Sequence, residues 1–283
     1  MTVNPPIDNE TSSLYRDAQD IEELAWWDIY QAAPDEYARD HQLRAERLPG
    51  GTCFAHKHLP SSLFNRVLKV GIEKTVTPLE LGQLQRWLAT YANPVHNIGM
   101  DPNSQPPEAT DWLRSLGLEV TGGGIARFVH HGGEAAAVPR SELTVRDVGP
   151  YEQSLLGDVV RRAFGFPEGF DTWFGQLAGR ADWRVYFACD GILPVGIGAM
   201  YVKDGRAWLG VGATLKEHRG RGAQRLLLNR RVCDASAMGV TNIHVETGHP
   251  LPGEPIGPSY RNISRAGFDV LFVRDQYMPK QAG

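Results

Sequence analysis

The stretch TLKEHRGRGAQRLLLNRR, residues 214–231, sets arginines and glycines at the junction between an apolar strand pattern and an apolar helix pattern. A helix N-terminus presents unsatisfied N–H groups and the positive end of the helix dipole. Gly220 and Gly222 remove Cβ atoms ahead of it, so a phosphate can approach the backbone, and Arg219 and Arg221 can add charge-assisted hydrogen bonds. The chemistry this suits is the holding of a pyrophosphate. Arginine–glycine pairs also occur in nucleic-acid-binding tails, which are repetitive and disordered; this stretch instead runs into Leu226, Leu227, Val232 and Met238. A dinucleotide fingerprint would need glycine at position 225, which is arginine, and a Walker loop would need Gly-Lys-Ser/Thr. A bound phosphate group is a better reading than nucleic acid or a solvated helix face.

Composition narrows the setting. The chain has 283 residues, a net charge of −4, 42% hydrophobic and 22% charged residues. That length suggests about two domains, and the apolar content excludes wholesale disorder. Slight acidity argues against a general nucleic-acid partner. Cys53, Cys189 and Cys233 are scattered and odd in number, which reads as reduced thiols. The polar start MTVNPPIDNETSSLYRD lacks the regions of a signal peptide, and no run of about 18 apolar residues could span a membrane. A soluble cytoplasmic protein is expected, with no membrane partner; the sequons at Asn9 and Asn262 read as chance.

The elements that must position the arginine–glycine loop follow from periodicity. Residues 1–13 read as polar and frayed, and residues 17–47 as helical with a break at Pro34. GTCFAHKH and NRVLKVGI read as strands. Thr77 as N-cap and Pro78 at the first helical position start a helix, followed by a strand PVHNIGM, a helix ending at Gly117 and the glycine-interrupted strand LEVTGGGIARFVHH. Residues 131–141, rich in Gly, Ala and Pro, are the linker candidate. The second half opens on a strand ELTVRDV and two helical patterns. Asp190-Gly191 and Asp204-Gly205 then join three hydrophobic runs as antiparallel hairpins. After the loop and its helix come a strand TNIHVET, a Gly/Pro loop, the helix PSYRNISRAG and a last strand FDVLFVRD.

The two halves end alike. VLKVGI, helix, PVHNIGM, helix, LEV parallels WLGVGA, helix, TNIHVET, helix, FDV, at an offset of roughly 140 to 150 residues, so a duplicated unit is expected. The first copy has EKTVTPLE where the second has the arginine–glycine loop.

The strand LGVGATL, Arg219-x-x-Gly222 opening a helix, and the later ETG and SYRN…AGF resemble the GNAT superfamily of acyl-CoA-dependent N-acyltransferases, over about residues 141–276. Arg219 and Gly222 match its Gln/Arg-x-x-Gly-x-Gly/Ala signature; Gln224 departs from it. The resemblance implies an α/β (α+β) fold with a mixed, largely antiparallel sheet flanked by helices, present as two units. Residues 1–135 would be a degenerate, non-catalytic GNAT-like unit and 136–283 the acetyltransferase domain. The implied reaction is transfer of an acetyl group from acetyl-CoA to a primary amine, with no metal; the alternative is a protein that binds or senses acetyl-CoA without turning it over. The partner would be an amine acceptor, a small molecule, and the chain a monomer or homodimer.

By the same resemblance Ala213, Thr214 and Leu215 would run beside the pantetheine arm, with the Ala213 N–H on the oxyanion. Arg219, Gly220, Arg221, Gly222, Ala223 and Gln224 would hold the pyrophosphate, with Asn262 at the same cofactor site, and the strands near Gly212 and Glu246 would part to admit the thioester. Glu246, with His244 second on the same strand face, is the candidate base, or else a carboxylate ordering the following loop. The family's acid tyrosine falls on Ile263; Tyr260, one turn earlier, is the substitute or else a packing residue. Asp171, Trp173 and Phe174 are candidates for the acceptor pocket, and Trp26, Trp27 and Trp87 for core. Cys53, His56 and His58 read as strand residues rather than metal ligands, and His130 and His131 as solvated.

Overall fold

The computed structural model describes residues 9–137 and 140–280; the polar start at 1–8 and positions 138 and 139 of the expected linker lie outside them. The first half holds α1 (Asn9–Gln31), α2 (Asp35–Asp40), β1 (Leu43–Leu48), β2 (Gly51–His56), β3 (Arg66–Leu68), α3 (Pro78–Tyr91), β4 (Asn97–Met100), α4 (Ala109–Ser115), β5 (Leu118–Val120) and β6 (Ile125–His130). The second holds β7 (Thr144–Asp147), α5 (Gln153–Phe164), α6 (Phe170–Phe174), β8 (Trp183–Asp190), β9 (Leu193–Lys203), β10 (Arg206–Thr214), α7 (Ala223–Ala237), β11 (Asn242–Gly248), α8 (Pro258–Arg265) and β12 (Asp269–Pro279). Two expectations fail: residues 9–13, read as frayed, open α1, and residues 43–48, read as helix, form β1. Gln42 turns left-handed at φ 50, and a two-residue Pro49-Gly50 turn closes β1 onto β2, so hairpin pairing overrides the helix propensity of LRAERL.

The strands make one mixed sheet in the order β1-β2-β3-β4-β12-β6-β11-β10-β9-β8-β7, with β5 against β12. Two neighbouring pairs, β3·β4 and β10·β11, are parallel and stand at equivalent places in the two halves. Each half is completed by a strand of the other. β6, from the first half, pairs with β11, while the far end of β12 pairs with β4 and β5. The near end of β12 pairs with β6 and closes the exchange.

Alternation along the strands divides the core by face. Trp183, Val185 and Phe187 of β8 join Phe54 of β2 in a core shared by both halves under α1, α5 and α6. Tyr186 and Ala188 point the other way, into a core under α7 and α8, and Cys53 and Ala55 into a third under α3. On α1 the apolar stripe Ile21, Ala25, Ile29 faces the shared core, and Trp26 lies in it as well. Trp87 is buried too, whereas Trp27 is only partly so, beneath the Arg47 guanidinium. His130 is buried against Phe268, contrary to the solvated reading, because β6 is an inner strand. Among the described residues no helix is long and apolar enough to cross a membrane.

Candidate active site

The site begins where β10 and β11 part. Their parallel register runs from Arg206↔Asn242 to Leu209↔Val245 and then stops. On its other edge β10 shifts register against β9 between Gly210 and Ala213, and Val211 takes φ 48, a left-handed conformation that a β-branched residue adopts only under constraint. The constraint is local packing. A Cβ at Gly210 would sit 1.9 Å from the Trp208 ring, so the indole folds back over the strand only because 210 is glycine. From α7 the Arg231 guanidinium reaches beneath, donating to the carbonyls of Ala199 (2.9 Å) and Gly210 (3.3 Å), with Nε on Leu227 O (2.9 Å). Burial lowers this arginine to about 10, and it has no carboxylate partner among the described residues.

Past the bulge Leu215 N–H donates to Val195 O, and Ala213 faces Ile197. Antiparallel alternation then turns the Ala213 N–H toward β9 and the Thr214 N–H toward the gap left by β11. The N–H available to a carbonyl in the gap therefore belongs to Thr214 rather than to Ala213.

The strand leads through one turn of 3₁₀ helix (Lys216–His218) into the arginine–glycine loop. Gly220 (φ 80) and Gly222 (φ 89) are both left-handed, and Gly222 is the N-cap of α7 without any side-chain cap. The first intrahelical bond to the cap is Leu226 N to Gly222 O, which leaves the N–H groups of Ala223, Gln224 and Arg225 without a helical acceptor. The equivalent helix of the first half is closed. Thr77 Oγ1 accepts from Glu80 N, Glu80 accepts from Thr77 N at 2.8 Å, and Lys74 holds the Glu80 carboxylate. A carboxylate already occupies the place where a phosphate would sit.

The two loop arginines differ. Arg219 is exposed, its Nε donates to Thr214 O (3.2 Å), and it has no carboxylate partner among the described residues. Arg221 is committed to Asp190 (2.5 Å), and Ser141 Oγ holds its carbonyl at 3.0 Å. Asn262 on α8 donates to Gln224 Oε1 (2.8 Å), tying the two helices together beside the loop. Ala223 and Leu215 are buried, so what they offer a ligand is backbone.

A cavity of about 420 Å³ passes through the gap. Leu228, Ile263, Ser259 and Gln224 line it on the α7–α8 side, and residues 210–212 and 245–248 form its waist. Trp26, Phe64, Phe166 and Phe174 line it on the far side. Because Leu228 and Ile263 belong to one core and Phe64 and Phe174 to the core on the opposite face, the cavity joins both faces of the sheet. Of the three acceptor-pocket candidates only Phe174 lines it. Trp173 is sealed, with Nε1 on Ile29 O (2.7 Å), and Asp171 stands near Arg161. Trp26, Phe64 and Arg66, all in the first half, form wall that sequence reasoning left to the second half alone.

Glu246 lies on the cavity wall at the waist. Its register partner across β6 is Arg127, with which it forms a direct ion pair. Arg127 in turn meets Glu22 (2.9 Å), and Glu22 also meets Arg274 (2.8 Å) and Arg66 (3.4 Å), while Arg274 holds Asp101 at 2.7 Å. The charged residues hidden in the apolar runs IARFVH and LFVRDQY were the only sign of this network in the sequence. His244 is fully buried off the cavity wall, and burial together with Arg127 pushes it down to about 3, so it stays neutral and out of reach of a substrate. Tyr260 stacks edge-on against Phe128 (4.9 Å) near His249 and is not on the wall, whereas Ser259 and Ile263 are. His56 meets Tyr37 Oη (3.1 Å), and among the described residues no group of three or more His, Cys, Asp or Glu side chains is placed to hold a metal.

A scan of protein-family models and a search of curated proteins by sequence match nothing. Solved structures do match. A GCN5-related N-acetyltransferase from Kribbella flavida superposes with TM-score 0.56 at 17% identity, over 87% of this chain and 96% of that one. A GCN5-related N-acetyltransferase from Sphaerobacter thermophilus gives 0.57 at 16%, over 83% and 75%. A tandem GNAT protein from the clavulanic acid biosynthesis pathway gives 0.52 at 12%, over 95% and 94%. At these identities the likeness is one of fold.

Proposed function

We propose that this chain, which has the GNAT fold, transfers an acetyl group from acetyl-CoA to a primary amine of a small-molecule acceptor. The observation that carries the reading is the cavity that crosses the sheet at the parting of β10 and β11, with the uncapped N-terminus of α7 beside it. A pyrophosphate on the N–H groups of residues 223–225, beside Arg219, which has no carboxylate partner among the described residues, lets a pantetheine arm follow the edge of β10 into the gap. The Thr214 N–H then faces the thioester carbonyl. The amine enters from the aromatic side and attacks the carbonyl carbon. The N–C bond forms, the C–S bond breaks, and the departing CoA thiolate takes up the proton that the new amide nitrogen sheds, directly or through water.

Glu246 is the carboxylate at the waist, and in this reading it receives the acceptor ammonium and passes its proton to water. Arg127 pairs with it directly and fixes its place at the waist. Glu246→Gln is expected to lower turnover by ~10²-fold, the lower end of what a positioned base contributes, with acetyl-CoA affinity unchanged. Unaltered turnover would assign the carboxylate to the Arg127 ion pair alone.

Two observations favour a second reading, in which acetyl-CoA is bound or sensed but not consumed: Tyr260 lies off the cavity wall with Ile263 at the usual acid position, and Glu246 is already engaged by Arg127. Measuring thiol release from acetyl-CoA across an amine panel separates the two. Amine-dependent release is expected; acetyl-CoA stabilisation of the fold with no release from any amine would favour the second reading. A melting temperature unmoved by acetyl-CoA would remove both.

A further inference from the structure

Arg66 opens β3, in the half of the chain that lacks the arginine–glycine loop, yet its side chain lines the cavity between β10 and β11. It is 3% exposed. Its guanidinium makes no hydrogen bond with any described residue, and Nε and Nη2 are wholly enclosed, so Nη1 is the edge left for a ligand. It lies over the Trp26 ring at 4.4 Å, and its ionic partner is Glu22 at 3.4 Å. Arg127 and Arg274 hold that carboxylate more closely, at 2.9 and 2.8 Å.

Two buried arginines line the cavity: Arg231 has no carboxylate partner among the described residues, and Arg66 shares Glu22 with Arg127 and Arg274. The indole N–H groups of Trp26 and Trp208, two more cavity-lining residues, are also buried without an acceptor. Donors exceed acceptors here, and an unmatched buried cation is costly unless a ligand completes it. Phe64, Phe164, Phe166 and Phe174 give this wall most of its apolar surface, with Leu63 and Ser62 beside them. A polycationic acceptor such as a polyamine would find Glu246 for one ammonium and meet the like charge of Arg66 and Arg231 with the others.

We propose that the acceptor is an amine carrying a carboxylate on an apolar body, an apolar α-amino acid or a close analogue, with its carboxylate at Arg66 and its amine toward Glu246. Glu22 bridges Arg66 to Arg127, and Arg127 meets Glu246, so an anion site and a cation site stand on one chain of contacts at one cavity. The inference rests on the acetyl-transfer reading for the fate of the amine, but not for the binding of the carboxylate.

The test pairs L-phenylalanine, L-leucine and L-tryptophan with phenethylamine, 3-methylbutylamine and tryptamine, and adds spermidine. Binding is followed by calorimetry on the full chain with CoA present, and turnover by thiol release from acetyl-CoA. At least one amino acid is expected to exceed its decarboxylated partner at least 10-fold in affinity and in kcat/KM. Arg66→Met should erase that ratio by weakening the amino acid alone, and Arg66→Lys should restore part of it. The proposal is overturned if no amino acid binds, if spermidine or a decarboxylated amine binds as well, or if Arg66→Met lowers both members of a pair equally. Arg66-dependent amino-acid binding without thiol release from any amine would sink the transferase reading and leave this one standing.

Discussion

Gly222→Glu is expected to weaken acetyl-CoA binding at least ~100-fold while the chain stays folded. Two effects add. The N-cap holds φ 89, where a side chain costs ~1–2 kcal/mol of backbone strain. The new carboxylate would stand at the uncapped end of α7, opposing a pyrophosphate at close range. Coulomb repulsion between unit charges near a surface reaches about 4 kcal/mol at 4 Å, and every 1.4 kcal/mol is tenfold in affinity. The fold has room for the change, because a Cβ here meets nothing nearer than Ser141 Oγ at 3.8 Å. Calorimetric titration with acetyl-CoA and a melting curve separate binding from stability. Gly222→Ala, which adds strain without charge, should lower stability by about 1 kcal/mol and affinity far less. Wild-type affinity in Gly222→Glu would remove α7 as the phosphate site.

Glu22→Gln is the second large expected effect, and it acts on the whole fold. Glu22 lies within the apolar stripe of α1, fully buried, where three arginines from three strands converge on it. Burial by itself would raise its carboxyl, but Arg127, Arg274 and Arg66 outweigh that and hold it down to about 2. Removing the charge leaves Arg66 without its carboxylate partner and Arg127 with Glu246 alone, and breaking a buried pair on one side costs ~3–5 kcal/mol. Urea unfolding at neutral pH should show that loss; a variant as stable as wild type would mean the network is neutral to folding. The sign of the pH dependence follows. A carboxyl depressed in the folded state contributes its full stability above its unfolded value of about 4.3, and the contribution drains away as pH falls from there through about 2. Glu22→Gln should flatten stability against pH across that window.

The joining of the halves bears on what the first one does. It lacks a phosphate loop, and Thr77 and Glu80 close the helix end that would need one. It nevertheless supplies β6, which carries Arg127 to Glu246, and the wall residues Trp26, Phe64 and Arg66. A unit without such a loop still helps to wall the cavity of the other, and strand exchange is the means.

Much of this could be read from residue order. Local chemistry set the hairpins at Asp190-Gly191 and Asp204-Gly205, the Thr77 cap with Pro78, and the glycines at 220 and 222 that only a left-handed backbone explains. Each depends on neighbours within a few residues, so period and turn type suffice. The arginine–glycine loop at a strand-to-helix junction, and its absence from EKTVTPLE, belong to the same class of local signal. The partners of Glu246 do not. Arg127 lies 119 positions away by number, Glu22 farther still, and no periodicity links them until β6 inserts beside β11. The direction of an N–H past a bulge, the face to which Tyr260 turns, and the arginine aimed at an aromatic cavity from the other half were likewise decided by packing and register, because each depends on which strand became whose neighbour.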